Sequence, residues 1–483
     1  MTTIYSLPLE IIDQILLETV KLNEKNGVAY TFGLSQLPAS LDKNIPTNVQ
    51  KYVRGPTPIY QLKWDAVANL RQVCQYWHEW GLRYAVRDIY VKNWMGSERW
   101  LDLTADRARY PLYEMNIRPK GEKVYRNPYL TLQHTREFLE KCDGAAAHVR
   151  RIWFNGLYIP ETDSEIIATI RSCKNLDIAS IPWSILRHSS PQDLAALLTK
   201  DGEYPLRALE LQAITLSEQQ RDLFAKAPLQ NPLISPLVNF SQLRKLKLFG
   251  NTNIFPINDR DLFAIAKTAT NLDEFHMTCI STITMDGVMA IVRASQKTLR
   301  VLEHSPRSDD GFMHPHPGYL SNGDHICELL TSCPKLEDVS ISIPNMCADL
   351  FSNKDVRWKD DCQVRARGIC GEENLNSNSA QKKLAMLLEQ ARNLISARGS
   401  GTMPTYLTLE LFFAEMIFDP HLHAVHGSFE DATIEGVWPS ETTSSSKGPY
   451  GSTGLFGKEE EEEFQQISER DFFAGLGQNF IRL

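Results

Sequence analysis

Asp419, His421, His423 and His426 lie within eight positions of one another, and imidazole with carboxylate is a donor set that zinc accepts. A zinc site also needs further ligands at a workable spacing. No second pair follows, and the segment reads as a loop, so the sequence predicts no metal there. His314-Pro315-His316-Pro317 reads as a loop between repeating elements. Cys173 and Cys333 occupy matching places in a repeated pattern, but C-x-x-C occurs nowhere in the chain, so packing between helix and strand is the expected role. Cys74 has only Arg71 nearby to lower its thiol pKa and reads as a small core residue. Gly454-Leu455-Phe456-Gly457-Lys458 lacks the glycine and hydroxyl that a phosphate-cradling loop requires at 452 and 459, where Ser452 and Glu459 stand. H-E-x-x-H and G-x-S-x-G are absent too. The sequence therefore predicts no catalytic residues and no cofactor. Glu459–Glu463 reads as a solvated charge run, and Trp94, Trp100 and Trp153 as either recognition anchors or core.

The 483 residues allow two to four domains, or a repeat array with an appendage. Lys and Arg number 51 against 59 Asp and Glu, a net charge of −8, which disfavours nucleic acid as a partner. The most apolar run, Leu407 to Phe418, is broken by Glu410 and Glu415 and falls short of the ~18 residues that span a bilayer. The first residues lack the charged and apolar regions of a secretory signal, and nine cysteines suit reduced thiols better than a disulfide framework. An intracellular protein, cytoplasmic or nuclear, with no membrane partner is expected.

Periodicity locates the elements. Leu7, Ile11, Ile12, Ile15 and Leu16 predict an amphipathic helix over 4–22, with Pro8 in its first turn. Residues 23–63 lose the period, carry several prolines and read as a loop. Leu70, Val73, Cys74 and Trp77 predict a helix over 65–80; Gly81 interrupts, and Leu82, Val86 and Ile89 suggest another short helix. Residues 93–144 read as a linker or cap. From about 145 an apolar-x-x-apolar-x-apolar motif recurs: Val149/Ile152/Phe154, Leu176/Ala179/Ile181, Leu206/Leu209/Leu211, Leu243/Leu246/Leu248, Leu272/Phe275/Met277, Leu299/Leu302/His304 and Leu336/Val339/Ile341, with Tyr406/Leu409/Leu411 a further member. Short helical runs such as Leu262–Ala266, Val288–Val292 and Ile326–Leu330 precede several members. One helix and one strand per ~20–45 residues predicts an α/β leucine-rich solenoid over 145–437, strands parallel inside and helices outside. Residues 345–380 read as an insertion, 381–397 as a helix and 438–483 as a flexible acidic tail, its stretch Phe472–Leu483 apolar enough to dock on the repeats.

Leu7-Pro8-Leu9-Glu10-Ile11-Ile12-Asp13-Gln14-Ile15-Leu16 resembles the first helix of an F-box, and Leu70-Arg71-Gln72-Val73-Cys74-Gln75-Tyr76-Trp77 resembles its second signature. Leu82 to Val91 looks like the closing helix of that family. With the repeats, the chain resembles the F-box/leucine-rich-repeat proteins abundant in filamentous fungi, its box spanning 1–92 around the inserted loop. The resemblance implies a non-catalytic receptor that delivers a protein substrate to a Skp–cullin–F-box ubiquitin ligase for proteasomal degradation. It implies adaptor contacts from Leu7, Pro8, Ile11, Ile12, Ile15, Leu16, Leu70, Val73, Cys74 and Trp77. The alternative is a repeat scaffold acting outside a ligase. In the gaps of the strand motif, Arg207, Arg244, Lys245, Asp273, Glu274 and Glu337 are the candidate substrate contacts, forming a surface that runs from basic to acidic.

Overall fold

The computed structural model describes residues 7–25, 67–91, 114–117, 123–126, 129–154, 159–199, 205–213, 216, 218–226, 228–250, 252–278, 280, 282–305, 320–369, 377–399, 407–413, 417–418, 424–428, 433–439, 462–468 and 481–482. These divide into two compact units. The first takes the described residues up to Gln242 together with Thr252–Pro256; the second takes Leu243–Gly250 and those from Ile257 onward.

In the first unit, α1 (Leu9–Lys25) starts directly after Pro8, whose carbonyl accepts from the amides of Ile11 and Ile12. Its inner face, Ile12, Leu16 and Val20, packs with Val67 and Leu70, and Tyr76, Trp77, Trp80 and Tyr84 close over them. The single helix expected over 65–80 is two pieces. A 3-10 turn at Leu70–Gln72 ends at Val73, and Cys74 is extended (φ −159°) as the cap of α2 (Gln75–Ala85). Gly81 does not interrupt α2: it lets the helix approach Arg71, whose Cγ would lie 2.7 Å from an added Cβ. The closing helix expected over Leu82–Val91 is also absent. After α2 the chain turns into β1 (Asp88–Val91), which pairs in parallel with β4 (Arg151–Phe154). Between them lie a hairpin of β2 (Glu114–Ile117) with β3 (Lys123–Arg126) and α3 (Leu130–Lys141). The unit continues through α4 (Pro160–Ser172), β5 (Ile178–Pro182), α5 (Pro191–Thr199), β6 (Ala208–Ala213) and α6 (Glu218–Lys226), with β4, β5 and β6 parallel neighbours.

The second unit repeats the alternation: β7 (Lys245–Gly250), α7 (Asp259–Ala266), β8 (Glu274–Thr278), α8 (Met285–Ala294), β9 (Val301–Ser305), α9 (Ile326–Thr331) and β10 (Asp338–Met346). β11 (Asp360–Ile369) follows, then α10 (Ser377–Gly399) and β12 (Leu407–Phe413), and all six strands run parallel in chain order. The expected insertion at 345–380 thus contains a regular sheet strand. At its end the expected solenoid turns antiparallel: β14 (Ala424–Ser428) pairs with β12 and β15 (Thr433–Pro439) with β14. The expected flexible tail also supplies strands, β16 (Glu462–Ser468) pairing with β15, and Ile481–Arg482 (β17) with Ile417–Phe418 (β13). Of the described residues, none forms a helix long and apolar enough to cross a membrane.

The apolar motif sets the strand phase. Its first member lies two residues before the strand, the others lie within it, and Val149, Leu176, Leu206, Leu243, Leu272, Leu299 and Leu336 are all buried. Cys173 and Cys333 are buried as expected, and burial pushes the Cys333 thiol up to about 12, which makes it inert as a nucleophile. Acids at the helix starts tie successive repeats together. Asp259 accepts from the amide and hydroxyl of Thr284, both at 2.8 Å, and Asp286 accepts from the amide of Ser321 at 2.8 Å. Gly287 leaves room for the first clasp, since a Cβ there would lie 2.4 Å from the Asp259 carboxylate. Gly287→Ala is therefore expected to destabilise the protein by about 1–3 kcal/mol in chemical denaturation, despite alanine's helix preference.

Candidate functional site

Five of the ten expected adaptor contacts lie on the surface of the helical part of the first unit. Leu7, Pro8, Ile11, Ile15 and Val73 are exposed, Ile11 by 48% and Val73 by 52%, and Leu9 beside them by 57%. Cys74 and Trp77 are half-buried. Ile12, Leu16 and Leu70 face inward and form the core that holds the helices together, so they position the surface without presenting to a partner. Tyr76 fixes the packing further, its hydroxyl donating to Asp13 of α1. The result is a helix apolar on two sides and covered on one. Leu82, also exposed, lies on α2. The inserted loop lies outside the described residues from position 26 onward.

The candidate substrate contacts lie in hydrogen-bonded ladders, which alternate in sign throughout the second unit and from Arg150 to Arg207 in the first. In the first unit the Arg87 carbonyl accepts from the Arg150 amide, that of Arg150 from Asp177 and that of Asp177 from Arg207. In the second unit the same bonds link Arg244, Asp273, Arg300, Glu337 and Lys359 in order. Side chains pair along these rows: Arg207 with Asp177 at 4.0 Å, Arg244 with Asp273 at 4.0 Å, Arg300 with Glu337 at 3.1 Å and Lys359 with Glu337 at 2.9 Å. One register position on, Lys245 meets Glu274 at 2.6 Å. The expected drift from basic to acidic is therefore absent. In-register parallel strands stand about 4.8 Å apart, so like charges in a row would repel and alternating ones attract. All six candidate residues are engaged with neighbours, and such exposed pairs each contribute about 0–1 kcal/mol.

The next outward-pointing row is polar yet buried. In the first unit Ser180 donates to Glu210 at 2.6 Å. In the second, His276 meets Glu303 at 2.8 Å and Glu274 at 3.4 Å. Burial alone would raise the Glu274 carboxyl, but hydrogen bonds from His276 and Lys245 outweigh it and hold the group at about 2.

An open pocket of about 780 Å³ in the first unit joins the helical part to the start of the strands. Arg83 and Arg87 line it with Arg150 and Arg207 from the ladder, against Asp13 and Asp177, and Trp80 forms part of its wall. Four guanidiniums facing two carboxylates favour an anionic group such as a peptide carboxylate. Sequence reasoning named only Arg207 of these; Arg150 occupies the matching gap of the Val149/Ile152/Phe154 motif, whereas Arg83 and Arg87 come from α2 and its end and reach the site only through packing. Elsewhere in the unit, Asp163 lies between Ser184, which donates to one oxygen at 2.7 Å, and His188, 2.7 Å from the other. The serine is oriented by the acid and not by the imidazole, so the trio lacks the serine–histidine relay of a nucleophile.

Trp153 is buried core, whereas Trp94, Trp100, His314, His316, Asp419, His421 and His423, with Gly454–Lys458, lie outside the described residues. His426 falls on β14 and not in a loop. No protein-family model and no curated protein matches the sequence. The functional assignment accordingly rests on the residues and geometry of this chain.

Proposed function

We propose that the chain is the substrate-recruiting subunit of a Skp–cullin–F-box ubiquitin ligase, its N-terminal helices binding the adaptor and its strand–helix repeats, continued as a leucine-rich solenoid, holding a target protein. The observation that carries this is the second apolar side of α1. A solvated helix normally keeps one apolar stripe, and Ile12, Leu16 and Val20 already supply it, yet Ile11 and Ile15 stay uncovered on the adjoining side and Leu7 and Leu9 at the helix start. A partner that covers these residues recovers the cost of exposing them. The arginine-lined pocket suits acidic side chains on a target. The receptor needs no nucleophile of its own, because transfer follows from raising the target's effective concentration near activated ubiquitin.

The replacement of a closing helix by β1 favours a second reading. A box continuous with its sheet also fits a scaffold that works outside a ligase. One experiment separates them. The full chain is mixed with a purified Skp-type adaptor, and the adaptor–cullin pair is then added. The expected result is a stable complex that Ile11→Ser with Ile15→Ser weakens at least tenfold, the usual scale for truncating central interface anchors, with unchanged thermal unfolding. An intact parent chain that captures no adaptor would sink the ligase assignment and leave the scaffold.

A further inference from the structure

The expectation of a metal-free chain was drawn from ligand spacing in sequence, and the second unit assembles a donor set that this criterion misses. His325 immediately precedes α9, and Cys327 lies in its first turn. Cys347 caps the 3-10 turn Ala348–Phe351 that follows β10, with Asp349 two residues on. Folding back from α9 through β10 brings the two short pairs, His-x-Cys and Cys-x-Asp, together. One ligand atom from each of His325, Cys327 and Cys347 lies within 4.8 Å of the other two. Cys347 Sγ is 3.7 Å from His325 Nε2 and 3.8 Å from Asp349 Oδ2.

The two Cys347 distances match edges of a coordination tetrahedron. With metal–sulfur bonds of about 2.3 Å and metal–nitrogen or metal–oxygen bonds of about 2.0–2.2 Å, neighbouring ligand atoms stand roughly 3.5–3.8 Å apart. We infer that His325, Cys327 and Cys347 bind a zinc-class divalent ion, with Asp349, beside Cys347, turning in as the fourth ligand to close the shell. Two thiols, an imidazole and a carboxylate select zinc or cobalt over magnesium and calcium, which prefer all-oxygen shells. On binding, each thiol releases its proton to solvent, and two thiolates, one carboxylate and the neutral imidazole each donate directly to the dication. With four protein ligands no position is left for substrate, so the ion is structural: it clamps the start of α9 to the turn after β10. Cys327 is buried and Cys347 half-buried, which shields the bound ion while leaving one side for entry.

Cobalt(II) alone is the probe. The full chain is reduced, stripped with a chelator, freed of both reagents under inert gas and titrated. The expected result is the intense visible spectrum of tetrahedral cobalt with near-ultraviolet thiolate charge-transfer bands, abolished by zinc. Cys347→Ser should remove about half the charge-transfer intensity and lower affinity at least a hundredfold. Asp349→Asn, a surface change that leaves the fold intact, should lower affinity at least tenfold, and Cys142→Ser in the first unit should change nothing. The inference is overturned if tetrahedral cobalt bands fail to form or persist unchanged in both site variants. A Cys327–Cys347 disulfide in the protein as purified would overturn it equally.

Discussion

Asp163→Ala is expected to lower stability by about 3–5 kcal/mol at neutral pH, measured by chemical denaturation, because it removes a buried acid and leaves two polar groups behind. Ser184 and His188 both turn toward this carboxylate inside the first unit, the serine buried and the imidazole side chain nearly so. Burial raises the Asp163 carboxyl to about 6 from its ordinary 3.8, against the opposing bonds from His188 and Ser184. The sign follows from linkage. The folded state holds this proton more tightly than the unfolded chain, so the part of the stability that depends on the bound proton is full below about pH 4 and lost as pH rises through about 6, while the contacts with Ser184 and His188 remain at neutral pH. Asp163→Asn keeps an acceptor for Ser184 and cannot titrate. It should flatten the decline in stability between pH 4 and 6 while costing less than the alanine variant. Glu274 works in the other direction: held at about 2, it contributes stability above its ordinary 4.5 that disappears as pH falls toward 2.

Trp183→Ala should cost about 3–5 kcal/mol, the range for emptying a large aromatic from a core. Trp183 is fully buried, its ring stacked 5.7 Å from Phe224, which in turn stacks 5.7 Å from Phe255. The indole nitrogen also donates to the Phe255 carbonyl at 3.3 Å. That carbonyl belongs to a residue with φ of 44°, a conformation a bulky side chain adopts only when held there. Arg187 supplies further hold, donating to the Phe255 carbonyl at 3.1 Å and to that of Pro256 at 2.8 Å. Trp183→Phe keeps the stacking and loses the hydrogen bond, so it should recover more than half of the alanine loss. Equal losses for both variants would show that the aromatic stack contributes little.

The strand phase was legible because buried parallel strands need apolar residues at fixed steps, as in Leu272/Phe275/Met277, and because a short helical run such as Leu262–Ala266 precedes several members of a pattern too common to decide alone. β11 was not, although its signal was present. Cys362, Val364 and Ala366 alternate with Gln363, Arg365 and Arg367 in a two-residue period, and small or weakly apolar inner residues disguised it as a polar insertion. β1 was misread because Leu82, Val86 and Ile89 fall at helical steps, while the partner that makes Asp88–Val91 a strand lies more than sixty positions downstream. The charge ladders depend on register between strands, which no single segment carries. The same holds for the cysteine, histidine and aspartate group, whose two short pairs are ordinary in isolation. What sequence does show at the candidate interface is the apolar content of α1; which of its sides is covered is a property of packing.

The strap at Thr252–Pro256 has a consequence for taking the protein apart. The chain leaves the first unit after Gln242, runs through β7 as part of the second, returns as Thr252–Pro256, and leaves again. No single cut yields both pieces whole. A fragment ending at Gln242 would lack Phe255 and bare the Trp183–Phe224 stack, turning a soluble-looking boundary into a sticky one. A fragment extended to Pro256 would keep the strap but carry β7 away from its parallel neighbour β8. Dissection of this protein therefore calls for two joins and a bridging linker in place of a terminus, and a circular rearrangement would meet the same interleaved path.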